Sequence, residues 1–379
     1  MPTKYDVFAH IIQEAPIRAH QLPFNTPIYN HLKTLQEEDV IQETNKQYTP
    51  KTNQKTTHWF KIIKYCLKNN LDYNLLFSQN TTQVIQEINT TAPQLRPKTL
   101  TNNQKNTQIL TYLEENQFIL LTKKRPRQGI LLKHHLLDEL LALNNKPPTK
   151  TTQYQDVHKQ AQQIHAPPIN PYEDKLFAFL AGSAQLEGST VNIGETRELL
   201  LRDIYPDKPK KDIQMVQNLN EATHYILEHL NQEITPQHIQ EINQRVLFSL
   251  HRNAGKYKRT HNKIQGNPHF TTAHPQKVPQ LITEYCKTIN QLTNKQELLK
   301  GLGHAHNELQ HIHPFSDGNS RTTRLVVSWL LLKHHLPLLV IKMGCFDEYM
   351  NNTKLARTRD DNKLNQLLTH LLVHEELLA

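Results

Sequence analysis

Residues 313–324 read HPFSDGNSRTTR, residues 325–332 continue as LVVSWLLL, and this stretch decides the fold of the C-terminal part. The apolar run predicts a helix that begins near Asn319 and is hydrophobic nearly all round, as expected at the centre of an α-bundle. A tight polar loop precedes it and follows a helix that ends near His313. The expected fold class is therefore mainly α.

The surrounding sequence supports that fold class. From about residue 155, amphipathic patterns of helical length dominate the chain. We expect helices over 172–187, 194–204, 211–231, 235–251, 275–291, 295–313, 319–335 and 360–378.

The loop and the start of the following helix bring together several groups that suit an anion. Unpaired backbone N–H groups and the positive end of the helix form a ready anion site. Arg321 and Arg324 lie three residues apart in the first turns and project to the same side. Asp317 offers an oxygen ligand for Mg²⁺, and His313 can take a proton from a hydroxyl near neutral pH. Together they suggest transfer from a nucleotide polyphosphate.

The same residues carry a family resemblance. HPFSDGNSRTTR resembles the H-x-F-x-[D/E]-G-N-G-R-x-x-R signature of Fic-domain proteins, and GHAHNELQHI over 303–312 resembles the helix that leads into it. The resemblance covers about residues 155–379. It implies a Fic-type α-helical bundle with a small β-hairpin flap, and we place the Fic domain at 156–379.

The resemblance implies a protein adenylyltransferase that moves AMP from ATP to a Tyr, Thr or Ser hydroxyl of a protein. His313 would deprotonate the hydroxyl, and Asp317 would hold Mg²⁺ on the α- and β-phosphates. Arg321 would support the β-phosphate and Arg324 the γ-phosphate. The nucleotide-binding set implied in this way is Gly318, Asn319, Ser320, Arg321, Arg324 and Tyr349.

Ser320 is a departure from the signature, which has glycine there. Glycine has no Cβ and takes positive φ readily, so serine is expected either to narrow the pocket or to donate its hydroxyl to phosphate. Reduced transfer activity is one expected consequence, and a degenerate Fic domain that only senses nucleotide is an alternative.

A second segment, SAQLEG over 183–188, resembles the family's [S/T]-x-x-x-E-[G/N] inhibitory helix. It implies the class in which that helix precedes the catalytic core, with Ser183 and Glu187 as inhibitory residues. Glu187 would pair with Arg324 and occupy the place of the γ-phosphate. A capped helix end with Gly188 as its stop is the alternative. The same glutamate would orient water if the enzyme removes AMP from a target instead.

Two further segments resemble parts of the family's substrate sites. Residues 254–260 and 263–267 resemble the flap, a hairpin that aligns a target segment by strand addition, with Ile264 and Gly266 as docking positions. FDEY over 346–349 resembles a segment bordering the adenine pocket, which makes Tyr349 a candidate contact.

The N-terminal part has a different organisation. Three short helical patterns and an extended segment over residues 1–55 resemble a winged helix-turn-helix, with Tyr29, Asn30 and Lys33 on the candidate recognition helix and 40–48 as the wing. A helical packing module is the alternative. Residues 56–146 are expected to form a helical unit with a basic hairpin around KKRPRQ at 123–128, a possible second winged helix. Residues 147–155 read as a linker.

Charge and composition limit the remaining function classes. Lys plus Arg number 44 against 35 Asp plus Glu, and residues 1–150 hold 19 basic and 12 acidic residues. This bias makes nucleic acid a possible partner of the N-terminal region, and a DNA-binding regulator the alternative function. Three distant cysteines indicate no disulfide framework. No apolar stretch reaches the ~18 residues of a membrane span, so we expect no membrane partner and a cytoplasmic location.

Overall fold

A computed structural model describes residues 1–95, 104–170, 172–262, 267, 270–353 and 358–378. The chain forms two compact units, residues 1–112 with 133–151 and residues 113–132 with 152–379. Most described residues are helical, and the strands form two small antiparallel hairpins, so the mainly α prediction is confirmed. No helix among these residues is long and apolar enough to cross a membrane.

The first unit is a set of short helices around one hairpin. Its core is apolar and includes Phe8, Leu35 and Trp59. Helix α1 begins at a capping box between Thr3 and Asp6, which satisfies its first amides. In chain order the elements are α1 (Lys4–Glu14), α2 (Tyr29–Glu37), β1 (Ile41–Thr44), β2 (Gln47–Pro50), α3 (Gln54–Asn69), α4 (Tyr73–Leu76), α5 (Gln79–Thr91), α6 (Gln104–Glu115, ending in the second unit) and α7 (His135–Leu143).

The candidate recognition helix and wing lie close to their predicted positions. Helix α2 begins at Tyr29, and β1 pairs with β2 from Ile41 opposite Pro50. Tyr29 is 69% exposed. A winged helix that binds DNA remains a prediction for this unit.

Several lysines of the first unit form ion pairs within it. Lys33 of the candidate recognition helix, together with Lys51 and Lys55, lies beside acidic side chains, which lowers the local positive potential. The pairs are Lys33 with Glu37 at 3.8 Å, Lys55 with Glu38 at 3.9 Å, and Lys51 with Asp39.

The second unit is a helical bundle with one hairpin. Every residue of α15 from Asn319 to Leu332 is buried, as the apolar run predicts, and α12 and α14 pack against it. The eight helices expected here are all present, and α8 and α16 are additional. The elements are β3 (Ile119–Lys123), β4 (Gln128–Leu131), α8 (His158–Gln163), α9 (Asp174–Gln185), α10 (Ile193–Arg202), α11 (Lys210–Glu228), α12 (Pro236–Val246), α13 (Val278–Asn290), α14 (Lys295–Ile312), α15 (Asn319–Lys333), α16 (Phe346–Thr353) and α17 (Asp361–Leu378).

The basic hairpin lies in the second unit, which differs from the division expected from the sequence. Strand β3 is buried up to its last residue and packs on α17. The Leu121 N–H donates to Nδ1 of His374 at 2.9 Å, and Nε2 of His374 donates to the Glu114 carbonyl at 3.0 Å. Arg127 donates through Nε to the buried Glu114 carboxylate at 2.8 Å. The His374 contact fixes the hairpin on α17, and the ion pair of Arg127 with Glu114 joins it to α6.

His374 makes the second unit sensitive to acid. Burial lowers the pKa of His374 from 6.5 to about 3, so the folded state holds the neutral ring. Its contribution to the free energy of unfolding is complete above pH 6.5 and is lost as the pH falls from about 6.5 toward about 3, by up to ~1.4 kcal/mol per pH unit.

The His374→Gln variant is expected to flatten this pH dependence, because an amide can accept from Leu121 and donate to Glu114 without titrating. Urea denaturation of both proteins between pH 7 and pH 4.5 measures the slopes. Equal slopes would contradict this role of His374.

Candidate active site

His313 stands at the junction between α14 and the loop. It caps α14 in a left-handed conformation, with φ 49°, and its N–H donates to the Leu309 carbonyl at 3.0 Å. Ring atom Nδ1 lies 3.2 Å from the Gln310 carbonyl, which can only accept, so Nδ1 carries the proton. Nε2 therefore bears the lone pair, as a general base requires. The side chain is half-buried.

The loop after His313 is held in place by Asn319, the first residue of α15. Oδ1 of Asn319 accepts from the Phe315 N–H at 2.9 Å, and Nδ2 donates to the Phe315 carbonyl at 2.8 Å. This reciprocal pair is buried and leaves the loop little freedom. Asn319 is therefore a structural element of the loop in addition to its predicted place in the anion hole.

Asn243 of α12 is a site residue that sequence analysis missed. Its Nδ2 donates to the Asp317 carbonyl at 3.1 Å, and its Oδ1 accepts from the Gly255 N–H at 3.0 Å. The side chain is fully buried. Gly318 has φ +72°, and a Cβ there would lie 3.0 Å from Asn243 Nδ2, so the position requires glycine on both counts. A sequence signal exists, because Asn243 interrupts the apolar stripe of α12.

Several hydrogen-bond donors at the start of α15 have no acceptor among the described residues. Geometry leaves the amides of the first helical turn without partners inside the helix. Arg321 is 5% exposed, and its Nε and Nη1 are buried without a hydrogen-bond partner in the described part of the chain. Nη1 of Arg324 is also buried without a hydrogen-bond partner among the described residues. Because buried cationic donors are costly to leave unpaired, this arrangement fits a bound anion.

Ser320 adopts helical backbone as the second residue of α15 and is not among the residues of positive φ. The departure from glycine therefore forfeits no unusual dihedral angle. Its side chain is 6% exposed. The effect of the hydroxyl on activity remains a prediction.

Asp317 is the carboxylate of the loop. Its Oδ1 accepts from the Gly318 N–H at 2.6 Å and lies 3.5 Å from Nη2 of Arg321. The side chain is 55% exposed. An exposed carboxylate beside an anion site matches the way Mg²⁺ is bound, through one or two carboxylates together with substrate phosphates. The residues present therefore fit the metal.

Arg324 contacts the segment expected to be inhibitory. Its Nε donates to Ser183 Oγ at 2.8 Å, and Nη2 donates to the Ser183 carbonyl at 2.8 Å and to Glu187 Oε1 at 3.0 Å. Arg324 is 1% exposed and the Glu187 side chain 20%. Helix α9 ends at Gln185, and Gly188 follows with φ +92°, so the segment is also a capped helix end. Ser183 and Glu187 thus hold the guanidinium expected to bind a γ-phosphate.

Tyr349 lies in the core rather than at a pocket surface. It is 0% exposed, and its hydroxyl is 2.8 Å from His306 Nε2. It also lies close enough to Arg324 to raise the pKa of that guanidinium, against the lowering effect of burial. A direct contact with adenine is incompatible with this burial. Tyr349 lies in the core near Arg324 instead.

The segment expected to begin the flap pairs with the loop. Tyr257 forms a β-bridge with Phe315, the Lys258 N–H donates to the Pro314 carbonyl at 2.8 Å, and Asn262 Nδ2 donates to the Phe315 carbonyl at 2.9 Å. The predicted docking positions Ile264 and Gly266 lie outside the described residues.

Comparison with known proteins places this site in a family. Residues 233–331 match the model of the Fic/DOC family. The chain is 29% identical over 224 residues to protein adenylyltransferase Fic of Nematostella vectensis, covering 51% of each protein. It is 27% identical over 270 residues to protein adenylyltransferase Fic of Aedes aegypti, covering 69% of this chain and 47% of that protein. The chain thus spans about half the length of the curated relatives it matches.

One solved structure aligns with part of this chain. A Fic domain containing signaling protein from Bacteroides thetaiotaomicron aligns with 24% identity and a TM-score of 0.47, covering 58% of this chain and 91% of that one. The family match includes the end of α14, the loop and most of α15, where the signature lies. The two relatives from Nematostella vectensis and Aedes aegypti are named protein adenylyltransferases, enzymes that attach AMP to proteins. Residues 233–331 of this chain therefore carry a Fic domain.

Proposed function

We propose that this chain is a protein adenylyltransferase that takes AMP from ATP. We also propose that Glu187 keeps this enzyme inactive. The observation that supports the transfer best is that two donors of Arg321, Nε and Nη1, are buried at the start of α15 with no acceptor in the described ranges of the chain. A triphosphate supplies the acceptors that these donors lack. The relatives are named for the same transfer.

His313 is the general base in this reaction. Nε2 takes the proton of a protein hydroxyl as its oxygen attacks the α-phosphorus of ATP. A new bond forms between that oxygen and the α-phosphorus, and the bond between the α-phosphorus and the α–β bridging oxygen breaks. Pyrophosphate leaves, and AMP remains on the Tyr, Thr or Ser side chain. The first-turn amides of α15 and Arg321 stabilise the charge on the phosphates.

Asp317 holds Mg²⁺ in the proposed reaction. When bound, the metal neutralises phosphate charge and aligns the leaving pyrophosphate. The contact between Asp317 and Arg321 keeps the carboxylate beside the anion site before nucleotide arrives.

Glu187 inhibits by occupying Arg324. The ion pair at 3.0 Å uses Nη2, one of the donors that a γ-phosphate would take. ATP that enters while this pair persists lacks its γ-phosphate partner and is misaligned at the α-phosphorus. Movement of the segment after α9 releases the arginine.

Removal of AMP from a modified protein is a second candidate function. The Glu187 carboxylate is 20% exposed, so water can reach it while it stays beside Arg324. A carboxylate in that state can orient water toward an AMP ester. Incubation of an AMP-modified protein with the unaltered chain tests this, and AMP release that Glu187→Gly abolishes is the expected result.

Labelled ATP tests the proposed transfer. The Glu187→Gly variant is incubated with Mg²⁺ and ATP labelled at the α-phosphorus or at the γ-phosphorus. Adenylyl transfer leaves only the α-label on protein, and mass spectrometry of the product then identifies the modified residue. Retention of the γ-label instead would indicate phosphoryl transfer and overturn the proposal.

Arg321 should dominate nucleotide affinity. Arg321→Ala in the Glu187→Gly background is expected to raise the Kd for ATP about 10- to 100-fold, because it removes charge-assisted hydrogen bonds. Arg321→Lys keeps the charge and should lose less. Calorimetric titration measures all three proteins. An unchanged Kd in a folded Arg321→Ala protein would place the triphosphate elsewhere.

A further inference from the structure

Lys258 is a buried lysine with neutral partners. It is 4% exposed, and Nζ donates to Thr272 Oγ1 at 3.1 Å and to the Ile312 carbonyl at 3.3 Å. Within the part of the chain that the structure describes, it forms no ion pair with a carboxylate. A buried ammonium without a counter-ion is costly, so its retention calls for a function.

The contacts of Lys258 lie on both sides of His313. Nζ binds the carbonyl of Ile312, the residue before the histidine. The Lys258 backbone N–H binds the carbonyl of Pro314, the residue after it, at 2.8 Å. The first of these carbonyls also belongs to the last turn of α14, where the helix dipole favours a cation.

We propose that Lys258 is a positioning residue that holds both peptide groups flanking His313 and so fixes the imidazole for proton abstraction. This inference rests on the proposed function, in which His313 is the general base. Because Lys258 is buried and contacts the peptide groups beside His313, its loss should lower kcat while leaving ATP binding intact. A misplacement of about 1 Å in a catalytic group can cost on the order of 100-fold in rate.

Protonation of Lys258 gives this role a distinctive pH dependence. Burial lowers the pKa of Lys258 to about 8, so Nζ loses its charge, and with it the cationic hydrogen bond to Ile312, as the pH rises through about 8. Tyr257 precedes Lys258 in sequence, His311 and His313 flank its partner Ile312, and Cys286 lies near Tyr257. Burial lowers the pKa of His311 and raises those of Tyr257 and Cys286 to about 12, so these three titrate outside the range from pH 7.5 to pH 9.5.

The test uses Glu187→Gly as the parent protein, with Lys258→Met and Lys258→Arg added separately. Label transfer from ATP gives kcat and KM from pH 6.5 to pH 9.5, and calorimetry gives the Kd for ATP. Lys258→Met is expected to lower kcat about 10- to 100-fold with KM and Kd within about twofold. The parent should lose rate above about pH 8, whereas Lys258→Arg, which stays charged, should keep its rate to higher pH.

The outcomes separate this inference from the proposed function. A parent that transfers no label overturns both. A parent that transfers label, beside a Lys258→Met protein with unchanged kcat and pH profile, overturns the role of Lys258 alone. If Lys258→Met does not fold, ¹³C NMR of lysine Cε in the parent decides, because titration of one lysine near pH 8 with a parallel fall in kcat supports the role and the absence of that titration contradicts it.

Discussion

Glu187→Gly should raise label transfer from ATP by at least about tenfold. The variant removes the carboxylate that holds Nη2 of Arg324 at 3.0 Å, so the guanidinium becomes available to a γ-phosphate. A charge-assisted hydrogen bond contributes about 1.5–3 kcal/mol, which corresponds to roughly 10- to 100-fold in population of the competent state. Label counting on the purified protein, with Mg²⁺ and α-labelled ATP, measures the change.

Matched variants separate charge from shape. Glu187→Gln keeps the size of the side chain and should activate less than glycine, because an amide still accepts from Arg324. Glu173→Gly alters an exposed glutamate at the other end of α9, whose side chain does not cap the helix, and should leave transfer unchanged. Equal rates for Glu187→Gly and the unaltered chain would contradict inhibition by this residue.

The same variant should also be less stable without nucleotide. Removing Glu187 leaves the 1% exposed Arg324 without a carboxylate, although Ser183 still accepts from it. Breaking such a pair by deleting one partner costs up to ~3–5 kcal/mol. ATP with Mg²⁺ should restore the melting temperature more in Glu187→Gly than in the unaltered chain, because ligand binding stabilises the folded state.

His313→Ala in the Glu187→Gly background should reduce transfer by about 10²- to 10⁴-fold. The imidazole is the group whose Nε2 bears a lone pair at the start of the loop, and its removal leaves the attacking hydroxyl protonated. The donors of α15 and Arg321 are untouched, so the Kd for ATP should stay within about twofold. Single-turnover label transfer and calorimetry measure the two quantities.

His304→Ala is the control for this variant. His304 lies on the same helix, is half-exposed and pairs with Asp361 rather than with the loop. It should keep most of the transfer rate. A His313→Ala protein that transfers label at the rate of this control would remove His313 from the reaction.

The local sequence predicts much of the second unit. Apolar periodicity locates its long helices, because each buries one face, and the run from Leu325 to Leu332 predicts the fully buried α15. Helix α16 is missed because its eight residues span barely two turns. The hairpin after α6 is located correctly in sequence. Its attachment to α17 depends on His374, which is 253 residues from its partner Leu121, so the local sequence does not reveal it.

Some residues of the candidate site are predicted by the local sequence, and others are found only in the tertiary structure. Residues of the loop and of the first turn of α15 are adjacent in sequence, so the motif alone predicts their chemistry. Asn243 and Lys258 act on that loop from other elements, and only the tertiary structure brings them to it. For Tyr349 the resemblance suggests a contact in the adenine pocket. In the structure the packing of α16 buries this side chain against His306.

A crystal structure of Glu187→Gly with Mg²⁺ and a non-hydrolysable ATP analogue examines the proposed binding mode itself. We expect density for the triphosphate at the start of α15, within hydrogen-bond distance of the Ser320 and Arg321 amides and the Arg321 side chain, with the α-phosphorus facing the open side of His313. The proposed function would be contradicted if protein side chains filled the space at the start of α15 in the soaked crystals and the analogue were bound elsewhere or absent.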